Sequence, residues 1–166
     1  MSAIALRARY AIAMSLRLGG NLPDSEELTR TLGFTPTLVR RRGEPVSKKR
    51  VQPVDIWILD LAKFDSDSTK DEINNQMLQT ATILRQMSPA LAALDCATRT
   101  LRERTHCNTD LYISTIREEE QGGLSLPIEI VSAAAAARLS IQISILVMLD
   151  DYSAPEAKSE LSTTAH

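Results

Sequence analysis

The run Ile4-Ala5-Leu6-Arg7-Ala8-Arg9-Tyr10-Ala11-Ile12-Ala13-Met14-Ser15-Leu16-Arg17-Leu18 alternates without a break. Ile4, Leu6, Ala8, Tyr10, Ile12, Met14, Leu16 and Leu18 share one side, while Arg7, Arg9 and Arg17 stand on the other. Successive side chains of a strand point to opposite faces. Period two over this length therefore predicts a long strand with one buried face and one wet, arginine-bearing face. Gly19-Gly20-Asn21 ends it. Residues 139–149 repeat the pattern, with Leu139, Ile141, Ile143, Ile145, Val147 and Leu149 set against Ser140, Gln142 and Ser144. They predict a last strand, placed centrally in its sheet by its length and apolar content.

Between these ends the period changes. Pro23-Asp24-Ser25-Glu26-Glu27 opens a short helix with acids in its first turn, where the helix dipole favours them. Leu28 and Leu32 pack inward, and Gly33 is the expected C-cap. Residues 33–52 then read as an irregular basic loop, broken by Pro36, Gly43 and Pro45. Residues 53–62 predict a second strand. Thr69 and Glu72 fit a capping box ahead of the helical stripe Ile73, Met77, Ala81, Leu84 and Met87. Ser88-Pro89 reads as the N-cap and first residue of a further helix, with Leu91, Leu94 and Leu101 inward. Residues 111–116 predict a third strand, 118–123 an acidic loop, and 127–138 a helix whose Ala133–Ala137 run lets it lie close on the sheet.

The order β-α-β-α-α-β-α-β, with half-buried alternation in the first and last strands, predicts an α+β fold. Its expected form is a two-layer, mainly antiparallel four-stranded sheet with helices packed on one face. Residues 1–151 are expected to form a single domain and 152–166 a flexible polar tail. At 166 residues, 43% apolar and 24% charged, the chain has the composition of one globular domain. The formal charge of −2 hides +6 over residues 1–50 and −8 over the rest, a split that creates a local field for a charged partner. Cys96 and Cys107 show no metal or disulfide spacing and fit a reducing compartment. The short apolar run after Arg9 lacks a small-residue cleavage site, and no stretch approaches a membrane span, so a cytoplasmic location is expected.

Thr29-Arg30-Thr31-Leu32-Gly33-Phe34-Thr35-Pro36-Thr37, preceded by Glu26-Glu27, resembles the "EEITxxLGLxPT" opening of a bacterial family, the domain of unknown function 4279. Arg42-Gly43-Glu44-Pro45 resembles that family's "RKGDP", and Trp57 its following tryptophan. Gly122-Gly123-Leu124-Ser125-Leu126-Pro127, with the helix and alternating strand that follow, is similar to its C-terminal half. The resemblance spans residues 8–150. It implies a small α+β domain without an assigned activity and, through some relatives, an immunity role beside bacterial toxins.

No catalytic constellation emerges. Of two histidines, His166 is the last residue, and His106 adjoins Cys107, a neighbour that does not normally share its face. An enzyme built on that pair is the third choice. Neither glycine pair continues as a phosphate-binding loop, no zinc-ligand spacing occurs, and no cofactor is expected. The remaining signal is charge. Arg40, Arg41, Arg42, Lys48, Lys49 and Arg50 are candidate partner contacts on the basic loop. Glu118, Glu119 and Glu120 are candidates on the acidic one. Scarce aromatics and an acidic whole disfavour nucleic acid, whereas guanidinium forks suit carboxylates. Taken with the immunity role that the resemblance implies, these charges lead to the expectation of a non-catalytic, immunity or antitoxin-like protein that docks a cognate toxin; a homo-oligomer is compatible with it. The alternative is an anion or nucleotide sensor lined by Arg40–Arg42 and Trp57. Against both stands the bland reading of the basic residues, a solvated loop without a partner.

Overall fold

The computed structural model describes residues 9–105, 108–118 and 123–148, with the backbone alone for 95–105. The elements run β1 (Tyr10–Gly20), α1 (Ser25–Leu32), β2 (Leu38–Arg40), β3 (Pro45–Ser47), β4 (Arg50–Val51), β5 (Asp55–Asp65), α2 (Lys70–Thr105), β6 (Asn108–Arg117), α3 (Ile128–Ala136) and β7 (Ser140–Val147). Residues 4–8 and the tail from 152 lie outside the described residues.

The α+β class holds, but the sheet has five strands in the order β2-β5-β1-β6-β7, and β3 and β4 form a separate pair. The alternating run forms the central strand. Ile12, Met14, Leu16 and Leu18 are buried on one face of β1, and the intervening residues face the open side. The register carries the core sideways: Leu16 pairs with Leu59 and Leu111, and Met14 with Ala62 and Ile113. Burying each such side chain contributes about 1.5–3 kcal/mol.

The short helix forms as its sequence directs. Asp24 caps α1, accepting from the Glu26 N–H at 3.0 Å, and Gly33 closes it at φ 77°, with its N–H on the Thr29 carbonyl at 2.9 Å. The capping box at α2 is also present: the Thr69 N–H donates to Glu72 Oε2 at 2.7 Å, and the Glu72 N–H to Thr69 Oγ1 at 3.2 Å. Met77, Ala81, Leu84, Met87 and Leu91 form the buried stripe that this helix lays on the sheet.

Three expectations fail. The basic loop is not irregular, because residues 38–40 add β2 to the edge of β5 and residues 45–51 form a hairpin. Next, Ser88-Pro89 does not divide two helices, and α2 runs through it as one helix of 36 residues. Pro89 has no N–H for the Arg85 carbonyl, but Ser88 Oγ donates to that carbonyl at 2.9 Å. The hydroxyl that resembled an N-cap repairs the break instead. Finally, the strand at 140–147 lies at an edge and pairs with β6 in parallel, so the sheet is mixed. A parallel neighbour needs a crossover, which α3 provides. The alanines of α3 (Ala133, Ala134 and Ala137 are buried) pack mainly against α2 and only lightly against β7, so the helical layer stops short of this strand. Apolar content alone could not tell an open edge from a covered centre.

Pro89→Ala is expected to raise the unfolding free energy in urea by about 1–3 kcal/mol. Ser88→Ala should cost about 0.5–1.5 kcal/mol in the wild-type chain and almost nothing in the Pro89→Ala background. Equal losses in both backgrounds would overturn the repair.

Candidate partner-binding site

Leu22 precedes α1, Arg41 and Arg42 follow β2, and Asp55 opens β5; all meet at one end of the sheet. Asp55 pairs in register with Gly20, the last residue of β1. Its Oδ1 accepts the Arg42 N–H at 2.9 Å and its Oδ2 the Leu22 N–H at 3.2 Å. Arg41 Nη1 lies 3.7 Å from the same Oδ2 and donates to the Pro23 carbonyl at 3.3 Å, while Arg41 Nη2 donates to Asp24 Oδ1 at 2.9 Å. The Asp55 side chain is only 14% exposed. One carboxylate and one guanidinium thus clamp the entry to α1 onto the exit from β2.

Beyond the clamp the chain makes a narrow hairpin. Gly43 turns at φ 87°, the left-handed region that glycine enters without a side-chain clash. The Gly43 N–H bonds the Gln52 carbonyl and the Gln52 N–H the Glu44 carbonyl, both at 2.8 Å, continuing the pairing of β3 with β4. Lys48 and Lys49 form the tip.

The six basic candidates therefore divide. Arg41 is spent on the clamp. Arg40, Arg42, Lys48, Lys49 and Arg50 are exposed, and none has a side-chain hydrogen bond or ion pair among the described residues. Trp57, which the sensor alternative sets beside them, is 1% exposed in the core. It pairs with Val39, so it faces the side opposite Arg40, and it cannot line a site with these arginines.

The acidic candidates lie elsewhere. Glu118 Oε2 accepts the Arg9 N–H at 2.9 Å and the Glu118 N–H bonds the Arg9 carbonyl at 3.1 Å, so this carboxylate secures the start of β1. Glu119 and Glu120 lie outside the described residues, as do His106 and Cys107. The hairpin and Glu118 occupy opposite ends of β1, about 33 Å apart at 3.3 Å per residue.

Two arrangements were not visible in the sequence. Asp55 is one. The other is on the open face, where Arg17 grips Asp110 at 2.9 and 3.3 Å, donates to Gln142 Oε1 at 2.7 Å and stacks 3.7 Å from the centroid of Tyr112. Asp110 is almost buried, and the guanidinium fork compensates its charge. Only the register, which sets Arg17 opposite Asp110, brings these side chains together. The outward place of Arg17 in the alternating run was the sole hint.

Among the described residues no group of three or more His, Cys, Asp or Glu could hold a metal ion, and no helix is long and apolar enough to cross a membrane. A family model described as a domain of unknown function (DUF4279) matches residues 9–148. No curated protein and no solved structure matches the chain.

Asp24 is held below the ordinary carboxylate value of 3.8, first by the Glu26 N–H and then by the charge and hydrogen bond of Arg41. A depressed folded-state value means that its contribution is complete above about 3.8 and is lost as pH falls through the lower value. Asp24→Asn should therefore flatten the acid end of the stability profile, measured by urea midpoints between pH 5 and 2. Asp55→Ala should cost about 2–4 kcal/mol, because it strands two backbone donors and Arg41. Hydrogen exchange at the Leu22 and Arg42 amides should accelerate together; unchanged exchange would refute the clamp.

Proposed function

The chain belongs to the DUF4279 family, a domain of unknown function, and from that premise we propose that it is a non-catalytic protein-binding module. Its proposed role is that of a cytoplasmic, immunity (antitoxin-like) protein that neutralises a bacterial toxin by docking against an acidic surface. One observation carries this proposal. Five cations, unpaired among the described residues, stand exposed on and beside a hairpin whose base is locked by the Asp55–Arg41 clamp.

A fixed base limits the conformational entropy lost when the hairpin meets a partner. Guanidinium and ammonium groups without internal partners are free to pair with carboxylates, and guanidinium groups do so in bidentate fashion. The field they create speeds encounter and orients it, which makes association fast and salt-sensitive. The hairpin residues Val46 and Val51, 51% and 64% exposed, offer apolar area to the same contact. Glu118 lies at the far end of the sheet, so a basic partner held there would form a second contact rather than extend the first.

Lys48→Glu, Lys49→Glu and Arg50→Glu in one chain should leave the melting temperature unchanged. They should weaken capture of the adjacent gene's product by about 100-fold at low salt, taking roughly 1 kcal/mol for each reversed rim charge. Co-expression of the wild type should also restore growth of cells carrying that product. Equal capture by the triple variant would remove the hairpin from the contact, and no complex with the wild type would sink the immunity role.

A further inference from the structure

The two edges of the main sheet are treated differently. On one side β2 covers the start of β5, and beyond it the exposed N–H groups of β5 are met by side chains. The Asp60 N–H donates to Thr37 Oγ1 at 2.9 Å and the Lys63 N–H to Gln76 Oε1 at 2.8 Å. On the other side β7 has no such cover among the described residues. Residues 139–148, Leu-Ser-Ile-Gln-Ile-Ser-Ile-Leu-Val-Met, contain no charge, no proline and no glycine, the devices that usually keep an edge from pairing. Ile143, Ile145, Leu146, Val147 and Met148 are 49%, 61%, 55%, 38% and 56% exposed.

We infer that β7 is a self-pairing edge: two copies of this chain join antiparallel along it, about a two-fold axis at Ser144, into one continuous ten-stranded sheet. Three features select a second copy as the occupant. The first is backbone phase. The Met148 N–H bonds the Arg117 carbonyl of β6, so by strand alternation the N–H and C=O groups of Ile141, Ile143, Ile145 and Val147 point away from β6. A two-fold at Ser144 sets Ile143 opposite Ile145 of the second copy and Ile141 opposite its Val147. Every outward donor then meets an outward acceptor.

The second is side-chain complementarity. On the helical side those pairs are β-branched on β-branched, a combination that stabilises cross-strand contacts. On the open side Ser144 meets Ser144, and Gln142 meets Leu146. An isologous contact places each group against its own symmetry mate or its mate's partner, so a charged edge would repel itself at the axis. An uncharged one does not.

The third is cover. Leu139 is buried and Ile141 half-buried, whereas Ile143, Ile145 and Val147 lie on the same face beyond the helical layer. The two-fold sets the covered half of each strand against the uncovered half of the other, and keeps both helical layers on one side of the joined sheet. Each copy then shields what the other exposes. Because β7 and β2 are opposite edges, the two basic hairpins come to flank a ten-stranded sheet, with their β2 strands about 43 Å apart at 4.8 Å per strand. A partner with two matching acidic sites would bind such an assembly with avidity.

The test uses the full chain in sedimentation equilibrium across a hundredfold range of concentration. The wild type should approach twice the 18.3 kDa of one chain as concentration rises. Ser144→Lys, at an exposed position, sets two ammonium groups face to face at the axis. It should sediment as a monomer with an unchanged circular dichroism spectrum and should melt as the wild type does when diluted to a monomer, and Ser144→Glu should do the same. An equimolar mixture of the two variants should regain the dimer mass, because each lysine then faces a glutamate. A wild type that stays monomeric overturns the inference, even where exchange shows the Ile143 and Ile145 amides protected, since the chain's own residues beyond 148 then hold the edge. A Ser144→Lys dimer, or variants that fail to pair on mixing, overturns it as well. None of these outcomes bears on the basic hairpin.

Discussion

The Asp55 carboxylate is the point on which the functional end of this molecule depends. It stands where β1 stops and β5 starts, and it satisfies two backbone donors and one guanidinium belonging to segments up to 33 residues away in sequence. Without it, the approach to α1 and the exit from β2 would keep the Arg41 link but lose the one acceptor that both backbones share. A charged acceptor for two backbone donors is worth more than a neutral one, because its hydrogen bonds are shorter and stronger and because losing it leaves those donors without partners. Arg41 completes the joint from the other side, bonding Pro23 and Asp24. The basic hairpin can be exposed and unpaired because its base is neither.

The sheet behind this joint is asymmetric. Its centre is β1, flanked on both sides by antiparallel strands, and its helix-facing row Ile12, Met14, Leu16 and Leu18 sits under α2. Toward β5 the layer closes with a short strand and two side-chain caps. Toward β7 it ends on aliphatic side chains that the helices leave uncovered. The open face has its own fastening, the Arg17–Asp110 fork with Tyr112 beneath it and Gln142 beyond, which ties β1, β6 and β7 across three strands. Its geometry is that of a compensated, half-buried ion pair. Such a pair adds little net stability, because the cost of taking its charges out of water offsets much of their attraction.

Several elements were legible in the amino acids because they depend on neighbours a few residues away. The alternation around Met14, the cap and stop of α1 at Asp24 and Gly33, and the Thr69–Glu72 box each follow from local hydrogen bonding or strand period. The misread elements share a different cause. Ser88-Pro89 offers the same hydroxyl and ring to an N-cap and to a repaired helix, and only the Arg85 carbonyl beneath it decides between them. Ile143 and Ile145 alternate equally well in a covered centre and at a bare edge. The six basic residues likewise looked alike, although one of them is bound at the clamp and the other five have no side-chain partner among the described residues.

By itself the sequence determined the long first strand, the short helix and its caps, the α+β class and the family, all encoded in period, capping chemistry and short motifs. The tertiary structure alone decided which strands are neighbours, which edge stays open and which arginine is consumed at Asp55. The physical reason is range. Capping and alternation act within one or two turns of chain, whereas the pairing of Arg17 with Asp110, or of Arg41 with Asp55, exists only after the sheet has chosen its register and brought distant charges within 4 Å.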